Sequence, residues 1–392
     1  MKRLWEMLVL AVLGVSLFIT SVVSISYGKT YIEGDITYVR VSDCNGYILR
    51  PHTELYPAGS HPWLWFAPEL GRSPHTNRMW LFNKLLLEGW TIAAVNIGEA
   101  RGNPEGRIKF TDFYNYLMNS DFGLQPKANL FVQSRGGLMH YNWAADHPKW
   151  VQSIGGIYPA VDLRSYPGLA KAAPVFKMTV EELEANLSDC NPINRLAPLA
   201  AENISILHLH GDSDKLVPLK ENSAAVKKRY DKLGGDMRLI VVSGKGHEVV
   251  PEFFESADLY NFFYSQAPVG MLENASNITD CKIPSVVEGG AKFTVEITIR
   301  NEGTQTWTFA DGYVLATGDD SGLFTSSSQH YLTPQDSITT GKSKTFRFQM
   351  TAPTPKDNRC YKITWQMLKE DAGRFGEIVE EQVCIIDKSR SR

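Results

Sequence analysis

The chain has 392 residues, 43% of them hydrophobic and 21% charged, and a formal net charge of -3. That length suits two domains, and the composition is that of a packed globular protein. With no net positive charge and no basic cluster it has no long-range attraction for nucleic acid, which is excluded as a partner.

At the N-terminus, Lys2 and Arg3 precede an apolar run from Met7 to Ile25, with small residues at Ser24, Ser26 and Gly28. Basic residues, an apolar core and then small residues make the pattern of a secretory signal. The run is also near the length that crosses a bilayer. Residues 1–28 are therefore expected to be a signal peptide or an N-terminal anchor. On either reading the basic end stays inside and the remainder is exported. The protein is then secreted or extracytoplasmic, and meets a membrane only through this segment.

Residues 29–268 alternate short apolar β-rich runs with helical stretches, as a largely parallel α/β sheet does. The expected strands are Tyr38–Val41, Tyr47–Leu49, Trp63–Phe66, Thr91–Asn96, Leu130–Gln133, Val151–Ile157, Ile204–His210 and Arg238–Val242. The expected helices are Arg78–Glu88, Phe110–Met118, Leu138–His147, Glu221–Leu233 and Pro251–Ser265. Residues 269–392 change character. There Ala291–Arg300, Thr345–Met350, Tyr361–Met367 and Glu377–Ile385 alternate with period two between turn-rich segments, as in an all-β sandwich.

Within the α/β part, the apolar strand ending at Gln133 breaks into Ser134-Arg135-Gly136-Gly137 and then a helix. A tight strand-to-helix turn lifts a Ser hydroxyl above the sheet and needs small residues two places before and after it. Gly136 meets the second requirement, while Val132 stands at the first. Taken alone, the segment fits a helix cap as well as a nucleophile.

Two later segments shift that balance. The strand ending at His210 runs into Gly211-Asp212-Ser213-Asp214, where a carboxylate can hold an imidazole in its useful tautomer. Asp214 is the expected acid and Asp212 the runner-up. His247 lies in the Gly-rich loop Ser243-Gly244-Lys245-Gly246, after the next strand. Ser134, Asp214 and His247 thus occur in the order nucleophile, acid, base, each after a strand.

Other features carry less. His208 and His210 alternate on one strand without a third ligand nearby, so core or supporting roles are expected rather than metal binding. Glu99, in the loop after Thr91–Asn96, is expected to brace that loop with Arg101. Trp63, Trp65, Tyr158 and Tyr166 fall near strand ends, where they either pack in the core or stack on substrate. Among the five cysteines there is no zinc spacing, and Cys360 with Cys384 is the expected pair.

The segments Ser134-Arg135-Gly136-Gly137, His210-Gly211-Asp212-Ser213-Asp214 with Val217-Pro218, and Gly246-His247-Glu248 resemble bacterial α/β-hydrolases of the esterase type. These are relatives of dienelactone hydrolases, acyl-protein thioesterases and the prolyl-oligopeptidase catalytic domain. The resemblance spans roughly residues 35–265 and implies a doubly wound, mostly parallel sheet of eight strands with a Ser134–His247–Asp214 triad. It also implies an oxyanion hole made by the backbone N–H of Arg135 and one following Trp63–Phe66. Pro68 has no N–H, so Leu70 or Glu69 is the expected second donor, Leu70 first. Neither a metal nor an organic cofactor is implied.

The C-terminal part is similar to the Ig-like four-tryptophan domain. The matching residues are Asn301-Glu302-Gly303, Trp307, Ala352-Pro353, Tyr361, Trp365-Gln366-Met367 and Phe375-Gly376. Only two of the four tryptophans stand here, so the peptide binding of that family is not carried over. Trp307 and Trp365 are expected in the core.

The resulting expectation is an exported serine hydrolase cleaving carboxylic esters, including acyl groups linked to carbohydrate. A serine peptidase of the prolyl-oligopeptidase type, or a non-catalytic surface binding protein on the same fold, remain alternatives.

Overall fold

The α/β part opens with a hairpin between β1 (Gly34–Val41) and β2 (Cys44–Pro51). Its two-residue turn places Ser42 and Asp43 at φ 46° and 62°, left-handed angles whose twist matches that of the flanking strands. The computed structural model describes residues 32–268, 272–318, 323–324, 327–354 and 359–386. The apolar run Met7–Ile25 lies outside the described residues. No helix among the described residues is long and apolar enough to cross a membrane.

Six further strands follow: β3 (Trp63–Ala67), β4 (Thr91–Val95), β5 (Ala128–Gln133), β6 (Val151–Ile157), β7 (Ser205–Gly211) and β8 (Met237–Val242). They complete an eight-stranded sheet in the order β1-β2-β4-β3-β5-β6-β7-β8. Only β1–β2 and β2–β4 pair antiparallel; β3 to β8 run parallel. Five helices of eight residues or more accompany the sheet: α1 (Met79–Leu87), α2 (Pro104–Met118), α3 (Gly136–Asp146), α4 (Ser223–Lys232) and α5 (Ala257–Tyr264).

The period of two in the strands decides which helices cover which face. Trp63, Trp65 and Ala67 of β3 pack with residues of α2, α3 and α4, such as Phe110, Trp143 and Val226. Leu64 and Phe66 point the other way, towards residues of α1 and α5 such as Phe82 and Phe263. The outcome is the doubly wound α/β-hydrolase fold, with both faces of the sheet buried and the parallel strands ending on one rim.

Two helices differ from expectation. The second begins at Pro104 rather than Phe110, because the Asn103 side chain accepts from Gly106 N at 2.8 Å and Pro104 fits the first helical turn. The last one breaks at Glu255, and Ser256 caps a fresh start by accepting from Leu259 N. Between β6 and β7 the chain also forms four short helices that apolar periodicity did not reveal, Leu169–Ala172, Val180–Ala185, Leu187–Cys190 and Ala197–Ala201.

After α5 the chain is strand-rich. The strands are β9 (Ser276–Lys282), β10 (Val286–Glu288), β11 (Lys292–Asn301), β12 (Trp307–Thr308), β13 (Tyr313–Thr317), β14 (Gln329–Tyr331), β15 (Ser337–Ile338), β16 (Ser343–Thr351), β17 (Arg359–Lys369) and β18 (Gly373–Ile386). One sheet has the order β16-β11-β9 and another β10-β18-β17-β13-β14. Val295 and Ile297 of the first share one core with Ile363, Trp365 and Met367 of the second. Trp307 and Trp365 are both fully buried in it. Cys360 and Cys384 face each other across β17 and β18 and form a disulfide, whereas Cys44, Cys190 and Cys281 are free.

The strand-rich part meets α5 through polar contacts. Asn261 donates from Nδ2 to Ile378 O at 2.7 Å and accepts from Ile378 N at 2.8 Å, as a neighbouring strand would. Tyr260 Oη lies 3.0 Å from both Glu88 Oε1 and Gly376 O. One phenolic proton serves only one of these acceptors, so a protonated Glu88 completes the pair. Burial indeed raises the Glu88 carboxyl to about 8, against hydrogen bonds from Tyr260 and the Gly376 backbone that lower it.

An acid raised in the folded state binds its proton there while the unfolded chain has already released it. Its contribution is complete below the unfolded value near 4.5 and is lost as pH rises through about 8. Thermal melts from pH 5 to 8 should therefore show the wild type losing more stability than Glu88→Gln. Parallel curves for the two proteins would show that Glu88 stays ionised.

Candidate active site

Backbone geometry at the end of β5 sets the position of Ser134. The residue has φ 51°, a left-handed angle that costs a non-glycine residue energy and is retained only where surroundings enforce it. Three hydrogen bonds do so. Ser134 N donates to Ile157 O at 3.1 Å, while Gly137 N and Ala160 N donate to Ser134 O at 3.1 and 2.8 Å.

Space at the turn is equally tight. A Cβ on Gly136 would sit 2.0 Å from Ala67 O, so glycine lets α3 approach the loop after β3. Val132 is accommodated from the neighbouring strand. Its register partner on β6 is Gly156, where a Cβ would lie 2.9 Å from Val132 Cγ2. The small residue missing from β5 is thus supplied by β6.

The structure brings Ser134, His247 and Asp214 into one line. Ser134 Oγ and His247 Nε2 are 2.8 Å apart, and His247 Nδ1 is 2.7 Å from Asp214 Oδ2. The Asp214 side chain is fully buried. Its Oδ1 accepts from Leu216 N and Val217 N, each at 2.9 Å. Burial would raise this carboxyl, but the neighbouring His210 ring and hydrogen bonds from His247 and Val217 N outweigh it and hold the group well below the usual carboxylate range.

Asp212 takes a different part. It accepts from Gly244 N at 2.8 Å and from Ser213 Oγ at 3.0 Å, so it braces the loop that carries His247. Ser213 N adds a bond to Lys245 O at 2.9 Å.

His208 and His210 are fully buried behind the acid and share the Ser223 hydroxyl, at 2.9 and 2.7 Å. His210 Nε2 reaches Val217 O at 2.8 Å, and His208 Nε2 reaches Tyr141 Oη at 2.8 Å. With both rings neutral every donor finds an acceptor: Tyr141 to His208, His208 to Ser223, Ser223 to His210, His210 to Val217. Burial lowers His208 to about 3 and keeps it neutral. The chain of bonds ends on the residue whose N–H holds Asp214.

Ser134 and His247 open on a cleft of about 400 Å³, lined also by Pro68, Leu70, Arg135 and Tyr158. The backbone N–H groups of Arg135 and Leu70 meet no protein acceptor among the described residues. Glu99 pairs with the Arg135 side chain, not with Arg101, which donates instead to Lys171 O. Trp63 and Trp65 are buried in the core. Tyr158 behaves otherwise, with its ring 4.1 Å from that of His247 and its hydroxyl donating to Glu248 O at 3.2 Å. Arg78, Gln133 and His75 also line the cleft and were not singled out from sequence. Their only signal is spatial.

No family model matches the sequence, and no curated protein matches it. Several solved structures are similar. Porphyromonas gingivalis dipeptidyl peptidase 4 is 13% identical, with a TM-score of 0.48, over 59% of this chain and 35% of that one. A truncated carbohydrate esterase from gut microbiota is 18% identical, with a TM-score of 0.45, over 57% and 90%. Est1E from Butyrivibrio proteoclasticus is 15% identical, with a TM-score of 0.42, over 59% and 98%. This chain therefore spans little more than a third of the dipeptidyl peptidase it resembles.

The fit of Val132 against Gly156 is open to measurement. Gly156→Ala should lower the unfolding free energy by about 1–3 kcal/mol in urea denaturation, the usual cost of overpacking. Adding Val132→Gly should recover part of that loss. An unchanged midpoint in the single variant would mean that the two strands have room to spare.

Proposed function

We propose that the protein is an exported serine hydrolase that cleaves carboxylic esters, acyl groups on polysaccharide among them, through Ser134, His247 and Asp214. The observation that carries this reading is the unbroken line from Ser134 Oγ to His247 at 2.8 Å and on to a buried, ionised Asp214 at 2.7 Å.

His247 Nε2 takes the Ser134 proton as Oγ attacks the ester carbonyl. Asp214 stabilises the imidazolium that forms and fixes the ring with Nδ1–H towards itself. The developing oxyanion receives the N–H groups of Arg135 and Leu70, which supply a few kcal/mol of barrier reduction of the usual kind. The imidazolium then protonates the leaving alcohol. Water repeats the sequence on the acyl-enzyme and frees Ser134.

Ser73, His75, Arg78 and Gln133 line the cleft alongside the apolar Pro68, Leu70 and Val249. Export rests on the N-terminal segment, and the strand-rich, Ig-like part then stands outside the cell with the enzyme.

A fluorophosphonate probe should label the wild type and leave Ser134→Ala unlabelled. The same variant should lose turnover of a 4-nitrophenyl acyl ester by several orders of magnitude while keeping its fold. Retained turnover rules the nucleophile out. Peptide substrates run alongside separate esterase from peptidase action. Asp214→Asn should reduce kcat by roughly 10⁴-fold, as loss of the orienting carboxylate does in such triads. Asp212→Asn should cost about tenfold or less, because it acts only through the His247 loop. Equal losses in the two Asp variants would leave Asp214 without its assigned role.

A further inference from the structure

Arg78 closes the short 3-10 turn Thr76–Arg78 just ahead of α1, and its side chain is only 13% exposed. The guanidinium carbon lies 4.0 Å over the centre of the Phe66 ring. Its Nε donates to Gln133 Oε1 at 3.4 Å, and Gln133 is the residue immediately before Ser134. The guanidinium is thereby held over an aromatic ring and tied to the residue before Ser134.

Arg78 Nη1 forms an ion pair with the buried Glu69 carboxylate at 3.6 Å, beyond hydrogen-bond length, and Glu69 also lines the cleft. That carboxylate also accepts from Tyr47 Oη at 3.0 Å through Oε2 and from Gly71 N at 2.7 Å through Oε1. Among the described residues the terminal nitrogens of Arg78 have no hydrogen-bond acceptor, and the residue opens on the cleft that holds Ser134 and His247. Arg135, the other arginine on this lining, has its side chain paired with Glu99. Asp214, which serves His247, is buried behind it.

A mostly desolvated guanidinium with unused N–H groups gains more from an anion than from water. Its planar fork fits the two oxygens of a carboxylate. We propose that Arg78 is a carboxylate-binding residue of the active cleft, so that the preferred substrates are esters bearing a carboxylate close to the bond that is cut. This rests on Ser134 being the nucleophile. The carboxylate sits either on the acyl half, as in a dicarboxylic half-ester, or on the alcohol half, as in an acylated uronic acid.

The test compares matched esters with the full-length enzyme. One pair is 4-nitrophenyl hemisuccinate against 4-nitrophenyl butanoate, and the other is acetylated glucuronic acid against acetylated glucose. In at least one pair the charged member should have a kcat/KM about 10- to 100-fold higher, carried mainly by KM, as a charge-assisted hydrogen bond predicts. The pair that responds tells which half carries the carboxylate. Arg78→Gln should bring that ratio close to one, and Arg78→Lys should retain part of it. Equal kcat/KM within both pairs for the wild type overturns the proposal and needs no variant. So does a preference that survives in Arg78→Gln. Both outcomes leave Ser134 as nucleophile, provided that 4-nitrophenyl acetate is still cleaved. Failure to cleave any of these esters overturns both readings.

Discussion

A carboxylate removed from water must be answered by protein donors, and the loop after β7 is organised around that demand at Asp214. Two backbone N–H groups and the His247 ring meet it directly, at 2.9, 2.9 and 2.7 Å. A second tier holds the donors in place, running from Tyr141 on α3 through His208, Ser223 and His210 to Val217 O. The negative charge therefore stays where His247 needs it, and the imidazole presents its other nitrogen to Ser134. Loosening any of these bonds would leave a buried charge short of partners, which the low-dielectric interior penalises.

Ser134 is held by a different constraint, that of space. Ser134 sits at a left-handed φ between two strands and a helix that approach within contact of the turn. Gly136 makes room on the side of β3, and Gly156 makes room on the side of β6. The requirement for a small residue near the turn is a requirement on a volume, and any strand bordering that volume can satisfy it. Val132 is tolerated for that reason.

The cleft draws all its lining residues from the α/β part, from Pro68 to Val249. The strand-rich part attaches instead along α5 and the end of α1, through Asn261, Tyr260 and Glu88. Its effect on the cleft is thus indirect, through the stability of the helices that cover one face of the sheet. The protonated state favoured at Glu88 makes that junction lose stability as pH rises from about 4.5 to about 8.

Much of this was legible in the sequence. Strand and helix alternation located all eight strands of the sheet, because apolar periodicity is a local property of the chain. The order of Ser134, Asp214 and His247 along it was likewise visible. The choice of Asp214 over Asp212 was an expectation that acquired its reason only in three dimensions, where Asp212 turns to Gly244 N. The short helices between β6 and β7, the relief of Val132 by Gly156, and the placing of Arg78 beside Gln133 had no local signature. Each depends on which segments become neighbours across the sheet. Periodicity and residue order are written along one chain, whereas contact, burial and unmet charge exist only between parts of it that folding brings together.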